Sequence, residues 1–239
     1  MSTHSLDPEL GDAVAAPGST VLAGFPSVSV LEEDRQRVST DRSGFVPETL
    51  PDGVVAARSV EDVVDTLRLA SLHRIPVVPR GAGTGLAAAS SSRAGELVLD
   101  VSGMNRILRI DPEEQLAVVE PGVLNADLNA AAAEYGLFYA PDPASTAICS
   151  IGGNIATNAG GMRCAKYGVT RESVLALRVI LADGRELRTG RETIKGVSGY
   201  DLNALMIGSE GTLGVVVEAT LRLRPQPVHT ATVAAFFPD

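Results

Sequence analysis

The sequence contains no tryptophan, and aromatic residues make up only 4% of its 239 residues. A hydrophobic core must therefore be built from aliphatic side chains, which are plentiful because hydrophobic residues reach 45%. No apolar run approaches the roughly 18 residues that a membrane-spanning helix needs. The first 20 residues also lack the basic and then apolar pattern of a secretory signal. These absences predict a cytoplasmic protein without a transmembrane segment.

Cysteine, histidine and positive charge are also scarce. The two cysteines, Cys149 and Cys164, do not form a C-x-x-C motif, and the three histidines are scattered along the chain. We therefore expect neither a disulfide framework nor a metal site. The net charge of −9, without a basic stripe, argues against a nucleic-acid partner. A small anionic ligand is compatible with this charge, because converging backbone N–H groups can bind an anion locally.

The order of predicted elements in the first part of the chain indicates a β-α-β unit. Residues 1–45 are predicted to be an irregular and partly helical segment. A short strand at residues 54–58 precedes an amphipathic helix, for which Ser59 is the expected N-cap and His73 the approximate end. The apolar stretch "IPVVP" then predicts a second strand, which leads into a glycine-rich loop.

The second part of the chain is predicted to be richer in strands. Asp183-Gly184 between two alternating runs predicts a hairpin. Gly136 is the expected C-cap of a preceding helix, and Asp201 the N-cap of a later one. The other expected strands lie at residues 96–104, 106–111, 115–122 and 213–225, and a further strand begins in "ATVAAFFPD". Because strands and helices alternate irregularly, we predict an α+β fold with two lobes, at about 46–105 and 106–225.

The stretch "PVVPRGAGTGLAAASSS" is the first candidate binding element. It lacks the Lys-Ser/Thr pair of a P-loop, and Leu86 stands where a Rossmann fingerprint needs its third glycine. The N–H groups of residues 81–85 can nevertheless converge on a phosphate, with the Thr84 hydroxyl as a further donor. Arg80 is expected either to add charge or to point into solvent. The alternative interpretation is a tight connector without a ligand.

Two further glycine-rich stretches favour the ligand-binding interpretation. Residues 140–168 show little periodicity, and loops of this length are uncommon in compact domains unless they are functional. They include "SIGGNIATNAGG", whose small residues would let a flat ring lie against the backbone. A third stretch, "GSEGTLG", joins a predicted helix to a strand. Three such stretches in one chain indicate a common site.

The motifs "VPRGAGTGL", "DPAS", "SIGGNIATNAGG" and "GYDLNALMIGSEGTLGVV" resemble those of the FAD-linked oxidases of the vanillyl-alcohol oxidase (PCMH-type) superfamily. The resemblance covers residues 45–225 and is greatest to the branch that contains glycolate oxidase and D-lactate dehydrogenase. It implies a two-lobed PCMH-type FAD-binding domain at residues 46–225 and the start of a truncated cap domain at 226–239. It also implies oxidation of a D-2-hydroxy acid by hydride transfer to flavin N5.

The same resemblance implies which residues contact FAD. The diphosphate would be wrapped by Pro79, Arg80, Gly81, Ala82, Gly83, Thr84 and Gly85. The flavin and ribityl-diphosphate would be lined by Pro141, Asp142, Pro143, Ala144, Ser145, Ser150, Ile151, Gly152 and Gly153. The isoalloxazine or diphosphate would be approached by Thr157, Asn158, Ala159 and Gly160, and the adenosine half by Glu210, Gly211, Thr212, Leu213, Gly214 and Val215.

The sequence departs from the family pattern at Ala88 and Ala89, which stand where relatives commonly have glycine. If these positions need positive φ, alanine would cost about 1 kcal/mol at each. Residues 80–92 contain no histidine, so FAD is expected to be bound without a covalent link. The resemblance places the catalytic base and the clamp for the substrate carboxylate in a C-terminal cap domain or a companion subunit, so no catalytic residue is assigned. A non-catalytic flavin- or partner-binding module, or another oxidoreductase on the same scaffold, is the alternative.

Overall fold

The computed structural model describes residues 19–193, 198–229, 231 and 233–236. Its helices are α1 (Ser19–Leu22), α2 (Glu32–Val38), α3 (Val60–His73), α4 (Asn125–Ala133), α5 (Ile151–Thr157), α6 (Cys164–Tyr167), α7 (Thr170–Ser173) and α8 (Leu202–Met206). Its strands are β1 (Val28–Ser29), β2 (Gly53–Ala56), β3 (Val77–Arg80), β4 (Leu97–Asp100), β5 (Ile107–Asp111), β6 (Leu116–Val119), β7 (Leu137–Phe138), β8 (Val174–Ile180), β9 (Glu186–Gly190), β10 (Val215–Arg222) and β11 (Arg224–Pro225).

The first sheet has the order β1-β2-β4-β3, in which β2 and β3 both run parallel to β4. Helix α3 connects β2 to β3, as the predicted β-α-β unit requires. A capping box starts this helix: Ser59 Oγ accepts from Asp62 N at 3.1 Å, and Asp62 Oδ2 accepts from Ser59 N at 3.1 Å. Arg74, at φ +55°, ends it. The predicted N-cap and the predicted end at His73 are therefore confirmed.

The second sheet is antiparallel throughout and has the order β5-β6-β10-β8-β9. Strands β8 and β9 form the predicted hairpin, and Gly184 adopts the positive φ of +78° that its turn requires. A separate pair, β7 with β11, forms a two-stranded ribbon. The α+β fold class with two sheet-containing lobes is thus confirmed, whereas the exact domain bounds stay a prediction.

The two sheets share part of their core. One hydrophobic cluster is built largely on β6, β8, β10, α4 and α5, and includes Leu128 and Ile155. The other lies between the first sheet and α3, and it also contains Ile180, Val215 and Val217 from the second sheet. This shared packing holds the end of β3, where the glycine loop begins, beside the second lobe.

Three sequence-based predictions need correction. Residues 140–168, predicted to be an irregular loop, contain the helices α5 and α6. Helix α4 ends at Ala133 and is capped by Glu134, whereas Gly136 lies in the following turn with φ +68°. The expected final strand is absent at 231 and 233–236, and its other residues lie outside the described ones. Among the described residues, no helix is both long enough and apolar enough to cross a bilayer.

Candidate active site

A groove of about 690 Å³ lies where the glycine loop after β3 meets α5 and the segment 143–145. Its lining is dominated by glycine, alanine, serine and threonine, so the backbone is within reach of a ligand over most of the surface. Glu210 contributes from the turn before β10, and Asp41 and Arg42 contribute from the segment after α2. The groove therefore joins parts of the chain that are far apart in sequence.

Arg80 folds back into the glycine loop rather than into solvent. Its Nη1 donates to the carbonyl oxygen of Ser90 at 3.1 Å. A Cβ atom at Gly83 would overlap the Arg80 guanidinium, and Gly83 also has φ +65°. Burial lowers the pKa of Arg80, while the charges of Asp100 and Asp41 oppose that shift. The Arg80 side chain thus links the start of the glycine loop to Ser90 at its end.

The Ser150 hydroxyl links the glycine loop to the start of α5. Its Oγ accepts from Gly153 N at 3.3 Å as the helix N-cap, and from Ala82 N at 3.4 Å. The side chain is only 1% exposed. A Cβ atom at Gly81 would lie 2.5 Å from Ser150 Oγ, so only glycine permits this close approach. One hydroxyl therefore fixes the loop against the helix.

Packing explains why α5 forms despite two glycines of low helix propensity. Ile151 and Ile155 are fully buried in the larger cluster. A Cβ at Gly152 would lie 2.7 Å from Pro121 Cβ, so glycine lets the helix lie against β6 and its following turn. Asn158, at φ +49°, ends the helix. Gly152 is thus required by the close packing of the helix against Pro121.

Asn154 stands in the middle of α5 and lines the groove. It is only 2% exposed, and its side-chain Nδ2 is buried without a hydrogen-bond partner among the described residues. Thr157, one turn further along, is exposed and donates from Oγ1 to Gly153 O at 3.0 Å. Sequence reasoning missed Asn154, because nothing in its spacing distinguishes it from the other small and polar residues nearby.

The turn before β10 contributes Glu210 to the groove. Glu210, at φ +53°, donates its N–H to Ala156 O at 2.9 Å. Gly211, at φ +78°, leaves room for Pro79, whose Cγ would be 3.0 Å from an added Cβ. A smaller cavity of about 70 Å³ lies behind this contact. The turn therefore joins the end of α5 to the end of β3.

The structure brings most of the predicted site residues to these two cavities. The groove is lined by Pro79, Gly81, Ala82, Gly83, Thr84, Gly85, Pro143, Ala144, Ser145, Gly153, Thr157, Asn158, Ala159, Gly160 and Glu210. The smaller cavity adds Arg80, Gly152, Gly211, Gly214 and Val215. Neither cavity is lined by Pro141, Asp142, Ser150, Ile151, Thr212 or Leu213.

Several of the residues outside the cavities have other partners. Asn125 Nδ2 donates to the Pro141 carbonyl at 3.0 Å, and Asp142 Oδ1 accepts from Arg163 N at 2.9 Å. Ile151 belongs to the hydrophobic core. These contacts fix the segment that leads into 143–145, so these residues support the groove wall from behind.

Asp41 is a groove residue that sequence reasoning missed, because it comes from the segment after α2. Burial alone would raise the pKa of Asp41, but hydrogen bonds from Ser43, Ser90 and Ser91 outweigh it and lower the pKa. The Ser43 N–H donates to Asp41 Oδ1 at 2.9 Å. The other residues that were missed are Arg42, Leu86, Ala87, Ala89, Ser90, Asn154 and Ala156.

Ala88 has φ +61°, a left-handed conformation that favours glycine, whereas Ala89 does not have positive φ. We expect Ala88→Gly to raise the free energy of unfolding by about 1 kcal/mol, because it relieves the strain of a Cβ at this φ. Ala89→Gly, the matched control, should lower it by about 0.5–1 kcal/mol through greater entropy of the unfolded chain. Urea unfolding measures both. An Ala88→Gly variant that is less stable than Ala89→Gly would contradict the assignment of strain to residue 88.

The comparisons with known proteins agree on one family. The family model described as "FAD binding domain" matches residues 51–190, more than half of the chain. The chain is 47% identical over 190 residues to glycolate oxidase subunit GlcD of Bacillus subtilis, covering 80% of this chain and 40% of that protein. It is 42% identical over 189 residues to D-2-hydroxyglutarate dehydrogenase of Stutzerimonas stutzeri, covering 79% and 41%.

A third relative is D-lactate dehydrogenase of Anaerostipes hadrus, at 41% identity over 200 residues, covering 84% of this chain and 42% of that one. Among solved structures, an alkyldihydroxyacetonephosphate synthase superposes with a TM-score of 0.75 at 23% identity, covering 85% of this chain and 38% of that one. That likeness shows the fold alone. The chain thus spans about two fifths of the length of the curated relatives it matches.

The groove fits FAD on its own chemistry. Its volume lies within the roughly 300–1,000 Å³ of ordinary ligand pockets. Its lining offers backbone groups, small side chains and the Thr84 hydroxyl to a long, flat ligand. The described residues hold no group of three or more His, Cys, Asp or Glu side chains that could bind a metal ion. The chain therefore belongs to the FAD-binding domain family of PCMH type, and FAD is its cofactor.

Proposed function

We propose that this chain is the FAD-binding part of a flavin-dependent oxidoreductase that oxidises a D-2-hydroxy acid of the lactate or glycolate type. The observation that carries the proposal is the groove itself, whose walls are the glycine loop, α5 and the turn at Glu210. The names of the relatives support the substrate class, since they refer to glycolate, D-lactate and D-2-hydroxyglutarate.

The residues that would hold FAD follow from the walls of the groove. The backbone N–H groups of residues 81 and 83–85 and the Thr84 hydroxyl would donate to the diphosphate, while the Ala82 N–H is held by Ser150 Oγ; donors to charged oxygens contribute about 1.5–3 kcal/mol each. The small residues 143–145 and 157–160 would lie against the flat parts of the cofactor. Because no histidine occurs in residues 80–92, we propose that the binding is non-covalent.

When bound, the flavin supplies the acceptor for the hydride that leaves the substrate α-carbon. The chain's own residues would position the cofactor along the groove. His73, at the end of α3, and His229 do not line the groove. We therefore propose that the general base and the carboxylate clamp come from a cap domain or a companion subunit, and the proposal is supported by the match of this chain to only 40% of the length of the relative from Bacillus subtilis.

The first test is the visible spectrum of the purified chain with and without added FAD. We expect a yellow protein whose FAD is released intact when the protein is denatured, because no covalent link is formed. A protein that stays colourless and does not take up FAD would contradict the proposal. Retention of flavin on the denatured chain would contradict only the non-covalent mode of binding.

The second test addresses the substrate class and uses the loaded protein without air. D-lactate, glycolate and D-2-hydroxyglutarate are added separately, with L-lactate as the matched control. Loss of the yellow colour with D-lactate but not with L-lactate would support the proposed substrate class and would contradict the proposed need for a cap domain or companion subunit. Retention of colour with all of them would support the requirement for a cap domain or companion subunit. Bleaching by L-lactate alone would contradict the proposed stereochemistry.

A further inference from the structure

We propose that Asp41 is a positioning residue which, through Arg80, holds the glycine loop in the shape that receives the cofactor diphosphate. The inference rests on the proposed function, because it takes FAD as the occupant of the groove. Asp41 belongs to the segment 39–43 after α2, which lies outside the residues 51–190 that the family model matches. This part of the chain therefore belongs neither to the glycine-rich motifs nor to the matched domain.

The segment 39–43 is hydrogen-bonded to the glycine loop and to the alanine and serine run that follows it. Arg42 N donates to Gly85 O at 3.1 Å, next to the last glycine of the loop. Ser92 N donates to Ser39 O at 3.0 Å, where that run ends. The position of the loop therefore depends on a segment that precedes the first parallel strand of its own sheet.

Two opposite charges lie against the glycines of this loop. The Arg80 guanidinium lies so close to Gly83 that a Cβ atom there would overlap it. Asp41 Oδ2 would lie 3.7 Å from a Cβ atom at Gly85. Arg80 Nη1 also donates to Ser90 O at 3.1 Å, so the same cation fixes the far end of the loop. The loop is thus held between a cation and an anion.

The charge of Asp41 matters because Arg80 is partly buried. Burial lowers the pKa of Arg80, and the carboxylates of Asp100 and Asp41 oppose that shift. Asp100 is shared, since Arg37 Nη1 lies 3.6 Å from its Oδ2. Asp41 therefore supplies the second negative charge for two guanidinium groups. Without it, Arg80 gains by turning outward into water, and the loop loses its internal anchor.

The first variant is Asp41→Asn, which should raise the Kd for FAD about tenfold because the loop is no longer preorganised. The direction of the change is diagnostic, since loss of a negative charge beside an anionic diphosphate would by itself strengthen binding. ADP, which keeps the diphosphate, should lose as much affinity as FAD, whereas riboflavin, which has no phosphate, should lose none. Flavin fluorescence measures the Kd of FAD and riboflavin on the flavin-free protein, and calorimetry measures that of ADP.

Asp65→Asn is the matched control, because it makes the same exchange at an exposed position of α3 outside the groove. It should leave the Kd of all three ligands unchanged. An unchanged or lower Kd of Asp41→Asn for FAD would overturn the inference. Failure of the unmodified chain to bind FAD would instead contradict the proposed function, so the two failures are distinguishable.

A double-mutant cycle with Arg80→Gln tests whether Asp41 acts through Arg80. The Kd of the double variant should equal that of Arg80→Gln alone, because the Asp41 charge has no further effect once the guanidinium is gone. If the two single effects multiply instead, Asp41 acts on FAD without Arg80, and the inference is overturned.

Ser91→Ala provides an independent test if Asp41→Asn does not fold. Ser91 does not line the groove, but its Oγ accepts from Asp41 N at 3.3 Å. Its loss should raise the Kd for FAD by about threefold. Hydrogen exchange of residues 81–92 in the flavin-free protein should become faster, while exchange of β4 stays the same. If either the Kd or the exchange of the loop is unchanged, the inference fails.

Discussion

Replacing Gly161 with alanine is expected to lower the free energy of unfolding by about 3 kcal/mol. The new Cβ would overlap the carbonyl group and Oδ1 of Asp142. Asp142 cannot easily withdraw, because Arg163 N donates to its Oδ1 at 2.9 Å and Asn125 Nδ2 holds the adjacent Pro141 carbonyl at 3.0 Å. Any relief of the clash must move the backbone that leads into the groove wall, so FAD affinity should fall as well. Urea unfolding and FAD titration measure the two effects.

The neighbouring residue provides the control for this prediction. A Cβ at Gly160 would lie 3.4 Å from Cys164 Sγ and 3.5 Å from Val169 Cγ1, which are ordinary van der Waals separations. Gly160→Ala should therefore change the free energy of unfolding by less than about 1 kcal/mol. Equal stability of the two variants would show that the close approach between Gly161 and Asp142 is not required for folding.

Replacing Gly81 with alanine is expected to weaken FAD binding by at least about tenfold, because it drives the glycine loop away from α5. The added Cβ would lie 2.5 Å from Ser150 Oγ. That hydroxyl accepts from both Ala82 N and Gly153 N, so its displacement removes the contact with the loop and the N-cap of α5 together. Loss of the N-cap alone costs about 1 kcal/mol. Flavin fluorescence and thermal unfolding report the two losses separately.

A double-mutant cycle with Ser150→Ala tests the proposed cause. Because Ser150→Ala removes the atom that the new Cβ would strike, the double variant should lose less stability than the sum of the single variants. Gly85→Ala is the control for stability, since its nearest neighbour would be Asp41 Oδ2 at 3.7 Å and its φ is not positive. Strict additivity of Gly81→Ala and Ser150→Ala would refute the steric coupling.

The elements with strong local signals were predicted correctly from the sequence. Helix α3 carries its own start signal in Ser59 and Asp62, and the β8–β9 hairpin carries Asp183-Gly184 at its turn. Both signals act between residues close together in the chain, so they are visible without tertiary structure. The three glycine-rich motifs were likewise recognisable as parts of one site, and the structure places most of their residues around the two cavities.

The features that were missed depend on contacts between distant residues. Residues 140–168, which contain α5, were predicted to be a loop because they show little periodicity, whereas the closeness of Gly152 to Pro121 is visible only in the folded chain. Asp41 reaches the groove from the segment after α2, and Asn154 is distinguished only by its missing partner. The structure of α5 and the positions of Asp41 and Asn154 all depend on tertiary packing. The residues next to them in the sequence give no sign of these distant contacts.

The core shared by the two sheets has a consequence for the order in which the chain can fold during synthesis. The face of β4 that carries Leu97 and Leu99 packs in the same cluster as Val215 and Val217 of β10. On the ribosome, β2, α3, β3 and β4 emerge long before β10 is made, so this apolar face stays incompletely covered. Contacts this distant in sequence slow folding, and exposed apolar surface invites aggregation. The apolar face of β4 can therefore be fully covered only after β10 has left the exit tunnel.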